Sequence, residues 1–368
     1  MLLVQSERNA LLASLSAVVG VVERRHTLPI LSNLLLEKKA GKFTLLATDL
    51  ELQVSTQLEN AEAGEDFAIT IAARKLFDIV RALPDSAKVK LDTKESQVVV
   101  SAGKSRFTLQ TLPAADFPRV ETGAGLGEAI RLPQKTLKRL LQLVQFAMAS
   151  QDIRYYLNGM LLVLDGKQLR VVATDGHRLS YAETELETEA AAREVIIPRK
   201  TVVELSKLLS DVDDPVELRI GANQVTITLP GTELVTKVVD GKFPDYQRVI
   251  PVNQPRHLKA NRQTVIQALQ RAAILSNEKF RGVRLVMSEN TLGIVCNNNE
   301  QEEAADEIEV NFSGEPLDMG FNVTYLLDGL GAVNSEEITL SLGDANSSML
   351  LTSEGEPGFK YVVMPMRI

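Results

Sequence analysis

The chain has no tryptophan, a single cysteine, three histidines and only 5% aromatic residues in 368 positions. Each scarcity removes a class of function. Without tryptophan, and with few other aromatics, a platform for stacking unpaired bases is disfavoured. A lone cysteine, Cys296, excludes a disulfide within the chain and suits a reducing compartment, so the cytoplasm is the expected location. His26, His177, His257 and Cys296 lie far apart in the sequence, which argues against a zinc site. No apolar run approaches the ~20 residues that a membrane span needs. The opening "MLLVQSERNALLASL" has neither a basic leader nor a small-residue cleavage site and does not read as a signal peptide. There is no GxxxxGK[ST] loop, no GxGxxG turn and no GxSxG elbow, and no cofactor is expected.

What remains is ordinary globular composition, 45% hydrophobic and 24% charged, with a net charge of −8. Taken alone, that charge argues against a nucleic-acid partner. The arrangement of the residues points the other way. "LLATDLELQV" at 45–54 is echoed by "VVATDGHRLS" at 171–180, and "LSNLLLEKKAGKFTLLATD" aligns with "YLNGMLLVLDGKQLRVVATD". "DFPRV" at 116–120 returns as "KFPDYQRV" at 242–249, and a weaker third copy is "FRGVRLVMSENTLGIVCNNNEQ" at 280–301. A period of about 125 residues marks a domain and not a solenoid repeat.

Each repeat divides again. "AITIAARKLFDIVRAL", "AIRLPQKTLKRLLQLV", "VIIPRKTVVELSKLLS", "HLKANRQTVIQALQRA" and "LDMGFNVTYLLDGLGAV" each read as a short strand, a breaker or cap, then a helix, and "SERNALLASLSAVV" supplies a sixth helix. The segments that follow alternate with period two between Gly, Asn and Asp turns, as hairpins do. Apolar residues at Leu137, Leu140, Leu141, Val144 and Met148 give the helix after Pro133 a stripe that packs on a sheet. The fold class is therefore α+β, with six strand–helix–strands units, two per domain, and helices packed on antiparallel sheets. Domain boundaries are placed at 1–127, 128–252 and 253–368, with "GAGLG" at 123–127 read as a linker.

Charge is segregated by element. Five of the six helix windows are net positive, and only 323–334 is net negative, at about −1. A single basic helix is usually a solvated face. Five basic helices on an acidic body suit a polyanion held against one surface.

At this level of detail the sequence resembles a known family, the bacterial β sliding clamps, processivity subunits of DNA polymerase III. The stretches that carry the likeness span the chain: "HTLPILSNLLLE", "ATDLE", "RFTLQTLPAADFP", "QDIRYYLNGML", "VATDGHRL", "IIPRKTV", "DGKFPDY", "RAAILSNEKFRGVRL" and "YVVMPMRI". The resemblance implies three similar clamp domains per chain and a head-to-tail homodimer that closes a ring around double-stranded DNA, without sequence preference. It implies no catalysis. The implied partners are the polymerase subunit of DNA polymerase III, the clamp loader and other proteins with a clamp-binding motif.

Site residues follow from the same resemblance. A pocket for a partner peptide is implied at Arg154, Leu157, Thr174, Gly176, His177, Arg178, Leu179, Pro244, Arg248, Val249, Val362, Met364, Pro365, Met366 and Arg367. Its leucines and valines suit apolar side chains, methionine adapts to different partners, and Arg and His supply donors for Gln, Asp or carboxyl groups. Duplex contacts are implied at Arg25, Arg74, Gln151, Tyr155, Tyr156, Arg199 and Lys200. They are backbone contacts that carry no sequence information. One of the two tyrosines is expected to be a core residue instead.

The ring interface is implied to bring Ile274 and Leu275 of one chain onto Phe107 of the other, and Glu300, Glu302 and Glu303 onto Lys75, Lys104 and Arg106. Such a contact is heterologous, third domain to first. The last helix, "TYLLDGLGAVN", departs from the basic pattern with Asp328 and two glycines. The competing reading of "ATDGHRLS" is a hydrolase site using Asp175 and His177, or simply a surface turn. The first repeat has Asp49-Leu-Glu51 there, so the histidine is not essential to the unit.

Overall fold

The computed structural model describes all residues except 24–26, 60, 63–64, 122, 124 and 368. Among them are six α-helices of ten to twelve residues: α1 (Arg8–Val19), α2 (Ala73–Ala82), α3 (Gln134–Val144), α4 (Arg199–Leu208), α5 (Arg262–Ala273) and α6 (Val323–Ala332). They are the six helices that the strand–helix pattern predicts. α5 and α6 each begin on an asparagine whose side chain accepts backbone N–H bonds, Asn261 from Thr264 and Asn322 from Thr324 and Tyr325, satisfying donors that have no intrahelical partner. The stripe on α3 is buried at Leu137, Leu140, Leu141 and Val144. The helix ends at Val144, though. A 3₁₀ turn (Gln145–Ala147) follows, and Met148 is buried just beyond it rather than on the helix.

The chain forms two compact units, Met1–Lys135 with Val203–Val238, and Thr136–Val202 with Val239–Ile368. The sequence divides into three repeats, and the second repeat is shared between the two units. In the first unit a twelve-stranded antiparallel sheet runs from Leu2–Glu7 at one edge to Ile130–Pro133 at the other. Its continuity depends on one long-range pairing: Leu52–Gln57 lies antiparallel to Thr232–Lys237, with Thr56 opposite Thr232 and Leu52 opposite Thr236. α1 and α2 pack on each other and bury Leu11, Leu15 and Val18 with Leu76 and Val80. Arg8 fastens them: its guanidinium donates to the carbonyls of Val80 and Arg81 at the end of α2 and pairs with Asp85 at 2.9 Å. The segment read as a linker is anchored, with Gly123 N–H donating to Gln224 Oε1 and Gly127 N–H to Ile220 O.

In the second unit a seven-stranded sheet is built around the long hairpin Gly159–Thr174 and Arg178–Pro198. The second strand of that hairpin pairs antiparallel with Phe359–Val363, placing Arg178 opposite Val363 and Leu179 opposite Val362. The end of the chain is thereby brought onto the "ATDGHRLS" turn. A separate four-stranded sheet has Glu303–Glu309 as one edge. The last strand stops at Val363, two residues before Pro365, as a residue without an N–H requires.

Candidate functional site

The turn between the hairpin strands explains the repeated "ATD". Asp175 Oδ1 accepts the backbone N–H of both His177 and Arg178, at 2.9 and 3.0 Å. Thr174 Oγ1 donates to Arg178 O and accepts from Gly176 N–H. Gly176 has φ +90°, a conformation that suits glycine. The first repeat makes the same turn. Asp49 accepts from Glu51 and Leu52, Thr48 bonds Leu52 O and Leu50 N–H, and Leu50 takes φ +79°. The shared Thr-Asp is a turn-building device of the kind that short polar side chains provide. Asp175 and His177 do not sit on one side of an extended strand, and the aspartate is committed to backbone N–H groups rather than to the histidine ring. That geometry overturns the hydrolase reading.

Beside this turn lies an open apolar cavity of about 190 Å³. It is the unroofed end of a core cluster that includes Leu157, Leu161, Val172, Leu179, Tyr181, Phe243, Tyr246 and Val362. Of the residues expected in a pocket, the structure brings Arg154, Leu157, Thr174, Gly176, Arg178, Leu179, Pro244, Val249, Val362 and Met364 onto its lining. His177, Arg248, Pro365, Met366 and Arg367 are not on it. His177 and Arg367 are exposed, and Arg248 is exposed and pairs with Asp245 at 2.9 Å. The chain end is fixed by main-chain bonds, Met364 N–H to His177 O at 2.9 Å and Met366 N–H to Gly320 O at 2.8 Å.

Tyr156, Phe243 and Tyr246 complete the lining. The last two are not among the expected pocket residues, although the repeated "KFPDYQRV" around Pro244 carries both. Tyr155 and Tyr156 are both expected at the duplex, with one of the two turned into the core instead. Tyr156 is half-buried against the cavity cluster, whereas Tyr155 is 56% exposed, with the two rings edge to face at 5.9 Å. An edge-to-face neighbour and an apolar wall hold Tyr156 inward.

Both arginines on the cavity have carboxylate partners. Arg154 donates from Nε and Nη2 to Asp152 at 3.0 and 2.9 Å and from Nη2 to Asp175 O. That side-chain bond holds the Asp152 carboxyl well below its ordinary range, at about 2. Arg178 is mostly buried and donates to Asp175, Asp328 and the carbonyl of Phe146. Burial alone pushes its guanidinium toward neutrality. The Tyr361 hydroxyl and the two carboxylates outweigh this and raise its pKa above the ordinary arginine value.

Arg25 lies outside the described residues. Arg74 is exposed and donates to Val22 O, and Gln151 is exposed at φ +57°. Arg199 is half-buried with Nη1 on Met148 O at 2.7 Å, and Lys200 is half-buried. The basic character of the helices is smaller than their formal charge. Lys135 pairs with Asp213, Arg139 with Glu356 and Arg271 with Asp306. Sequence windows count charge along an element and miss acids that fold onto it.

Among the described residues, two of the open strand edges carry residues expected at the ring interface. Ser105–Leu112 pairs with Phe67–Ala72 only at Thr111 and Leu112, leaving 105–110 without a partner on that side. Lys104, Arg106 and Phe107 are exposed on or beside it, and Lys75 is exposed on α2. Glu303–Glu309 is a sheet edge, with Glu300, Glu302 and Glu303 exposed, Ile274 77% exposed and Leu275 half-buried. Among the described residues no group of His, Cys, Asp and Glu could hold a metal ion, and no helix is long and apolar enough to cross a membrane.

Comparison with known proteins gives the same picture along the whole chain. Family models of the DNA polymerase III beta subunit match in three consecutive spans: the N-terminal domain over residues 3–121, the central domain over 131–245 and the C-terminal domain over 247–367. The Beta sliding clamp of Pseudomonas putida is 47% identical over 363 residues, covering 98% of this chain and 99% of that protein. That of Escherichia coli K12 is 46% identical over 362 residues, with the same coverage. The crystal structure of the DNA polymerase III subunit beta from Pseudomonas aeruginosa superposes with a TM-score of 0.93 at 45% identity over 100% of both chains. A DnaN sliding clamp from the same organism, bound to griselimycin, does so with a TM-score of 0.93 at 46% identity over 99% of each. The chain belongs to the DNA polymerase III beta subunit family, the beta sliding clamps, which are non-catalytic processivity factors of DNA replication.

Proposed function

We propose that two copies of this chain close head to tail into a ring around duplex DNA. We further propose that the cavity beside the "ATDGHRLS" turn takes a short linear peptide from the polymerase subunit, the clamp loader and other partners. The observation that carries the ring is the pair of open strand edges. One, at 105–110, is flanked by Lys104, Arg106 and Phe107. The other, Glu303–Glu309, is flanked by Glu300, Glu302 and Ile274. Unpaired edges invite strand addition, and opposite charge selects edge one against edge two rather than either against itself. The acids would meet Lys75, Lys104 and Arg106, and Ile274 with Leu275 would pack on Phe107. The peptide reading is supported by an apolar, open cavity with a polar rim, which suits side-chain anchors and has no group placed to activate water.

The domain limits 1–127, 128–252 and 253–368 and a cytoplasmic location belong to the same proposal. The first limit falls between matched family spans and the second a few residues inside the third. Arg25, Arg74, Gln151, Tyr155, Arg199 and Lys200 are the proposed duplex contacts, and Tyr156 moves to the pocket. Such contacts reach phosphates, so binding without a loader should be weak, indifferent to sequence and steeply salt-dependent, each lost phosphate contact lowering the log–log slope by about 0.9. Filter or anisotropy titrations at several salt concentrations check this, and with clamp loader and ATP present Arg25→Ala and Gln151→Ala should impair loading and leave peptide affinity unchanged. A preferred base sequence emerging from a binding selection would contradict the proposal.

A further inference from the structure

The oddity of α6, an acid and two glycines where other helices carry bases, has a structural explanation. The Asp328 carboxylate meets the Arg178 guanidinium, the cationic end of the residue that closes the pocket turn. Arg178 is held on every side: Nε on Asp175 Oδ2 at 3.1 Å, Nη1 on Asp328, Nη2 on Phe146 O at 2.8 Å, with the ring of Tyr325 at 4.4 Å and that of Phe146 at 5.5 Å. Its side chain is 10% exposed. Gly329 is part of the same contact. A Cβ there would lie 2.3 Å from the ring of Tyr361, whose hydroxyl donates to Tyr325 O at 2.9 Å. Tyr361 in turn stands opposite Ser180 in the sheet that carries the pocket turn. The glycine lets α6 lie against that tyrosine, and the aspartate then reaches the arginine.

Arg178 borders the cavity, yet Nε, Nη1 and Nη2 already have acceptors. Three of its five N–H groups are thus committed within the chain, so its first role is to hold the turn. We propose that Asp328, which does not line the cavity, is a positioning residue for peptide recognition: through Arg178 it holds the turn from Thr174 to Leu179 in its binding geometry. A buried cation with one acid removed must find another acceptor, and the nearest adjustable element is the turn itself. This rests on the peptide reading of the pocket.

The test uses the full chain and a fluorescein-labelled pentapeptide, Gln-Ala-Asp-Leu-Phe, chosen for two apolar anchors and two polar groups. Asp328→Ala should weaken binding about tenfold, the scale on which residues without ligand contact modulate affinity. Asp328→Asn, which keeps an acceptor toward Arg178, should recover most of the loss. Glu356→Ala is the control. It breaks another ion pair of the same unit, between Arg139 on α3 and the loop before the last strand, away from the cavity lining. It should lower the melting temperature as Asp328→Ala does while leaving peptide affinity unchanged. Wild-type affinity in Asp328→Ala, no recovery in Asp328→Asn, or an equal loss in Glu356→Ala would overturn the inference. A wild-type protein that does not bind the probe would overturn the pocket reading itself, and this inference with it.

Discussion

Deleting residues 364–368 should abolish peptide binding while leaving the dimer intact. The strand Phe359–Val363 survives the cut, so the sheet and Val362 remain. What goes is the Met364 wall of the cavity, together with the main-chain bond from Met364 to His177 O, which fixes the turn, and that from Met366 to Gly320 O, which fixes the tail. Met364 is 42% exposed, so its removal costs the fold little and the ligand much. Loss of a central anchor at an interface is worth about 2–4 kcal/mol, or roughly 30- to 1,000-fold in affinity. Fluorescence anisotropy against the same peptide checks this, with sedimentation confirming the dimer. Full affinity in the truncated chain would place the pocket elsewhere.

Ile274→Ala with Leu275→Ala should convert the dimer to monomer at micromolar concentration. Both residues follow α5 directly, Ile274 at 77% exposure and Leu275 half-buried, so neither is held in the core of its own chain. Truncating a large apolar side chain costs about 2–5 kcal/mol where it is buried, and the proposed ring buries this pair twice, once at each interface. An exposed isoleucine contributes little to the isolated chain, so the melting temperature of the monomer should change only slightly. Sedimentation velocity reads the outcome, and an unchanged dimer would assign these residues to some other surface.

The two predictions draw on different degrees of legibility in the sequence. The six helices were readable because their period and caps are local, and the three repeats because "ATD" and "FP" recur. The continuity of the sheets was not, since Leu52–Gln57 against Thr232–Lys237 and Arg178–Pro198 against Phe359–Val363 are pairings between distant segments that leave no local pattern. The division into two units follows from those pairings. For the site, Leu157, Leu179 and Val362 could be named only because the resemblance to the clamp family implies them. Phe243 and Tyr246 could have been, from their place around Pro244.

Charge misled most. Arg178 reads as an uncommitted donor until Asp328, 150 positions away, is seen on its guanidinium. Arg139, Lys135 and Arg271 look like a basic face until Glu356, Asp213 and Asp306 fold against them. Tyr155 and Tyr156 are adjacent and chemically identical, and only the packing around Gly241 and the cavity cluster separates the exposed ring from the inward one.

The central claim is topological: the chain holds DNA by surrounding it, not by gripping it. The direct measurement is retention of the purified protein, loaded by its clamp loader with ATP, on circular DNA and on the same DNA linearised. A ring that grips only weakly stays on circles through a high-salt wash and slides from free ends. The account predicts that outcome, and it predicts that Ile274→Ala with Leu275→Ala is lost from both. Equal loss of the wild-type protein from circular and linear DNA would contradict it.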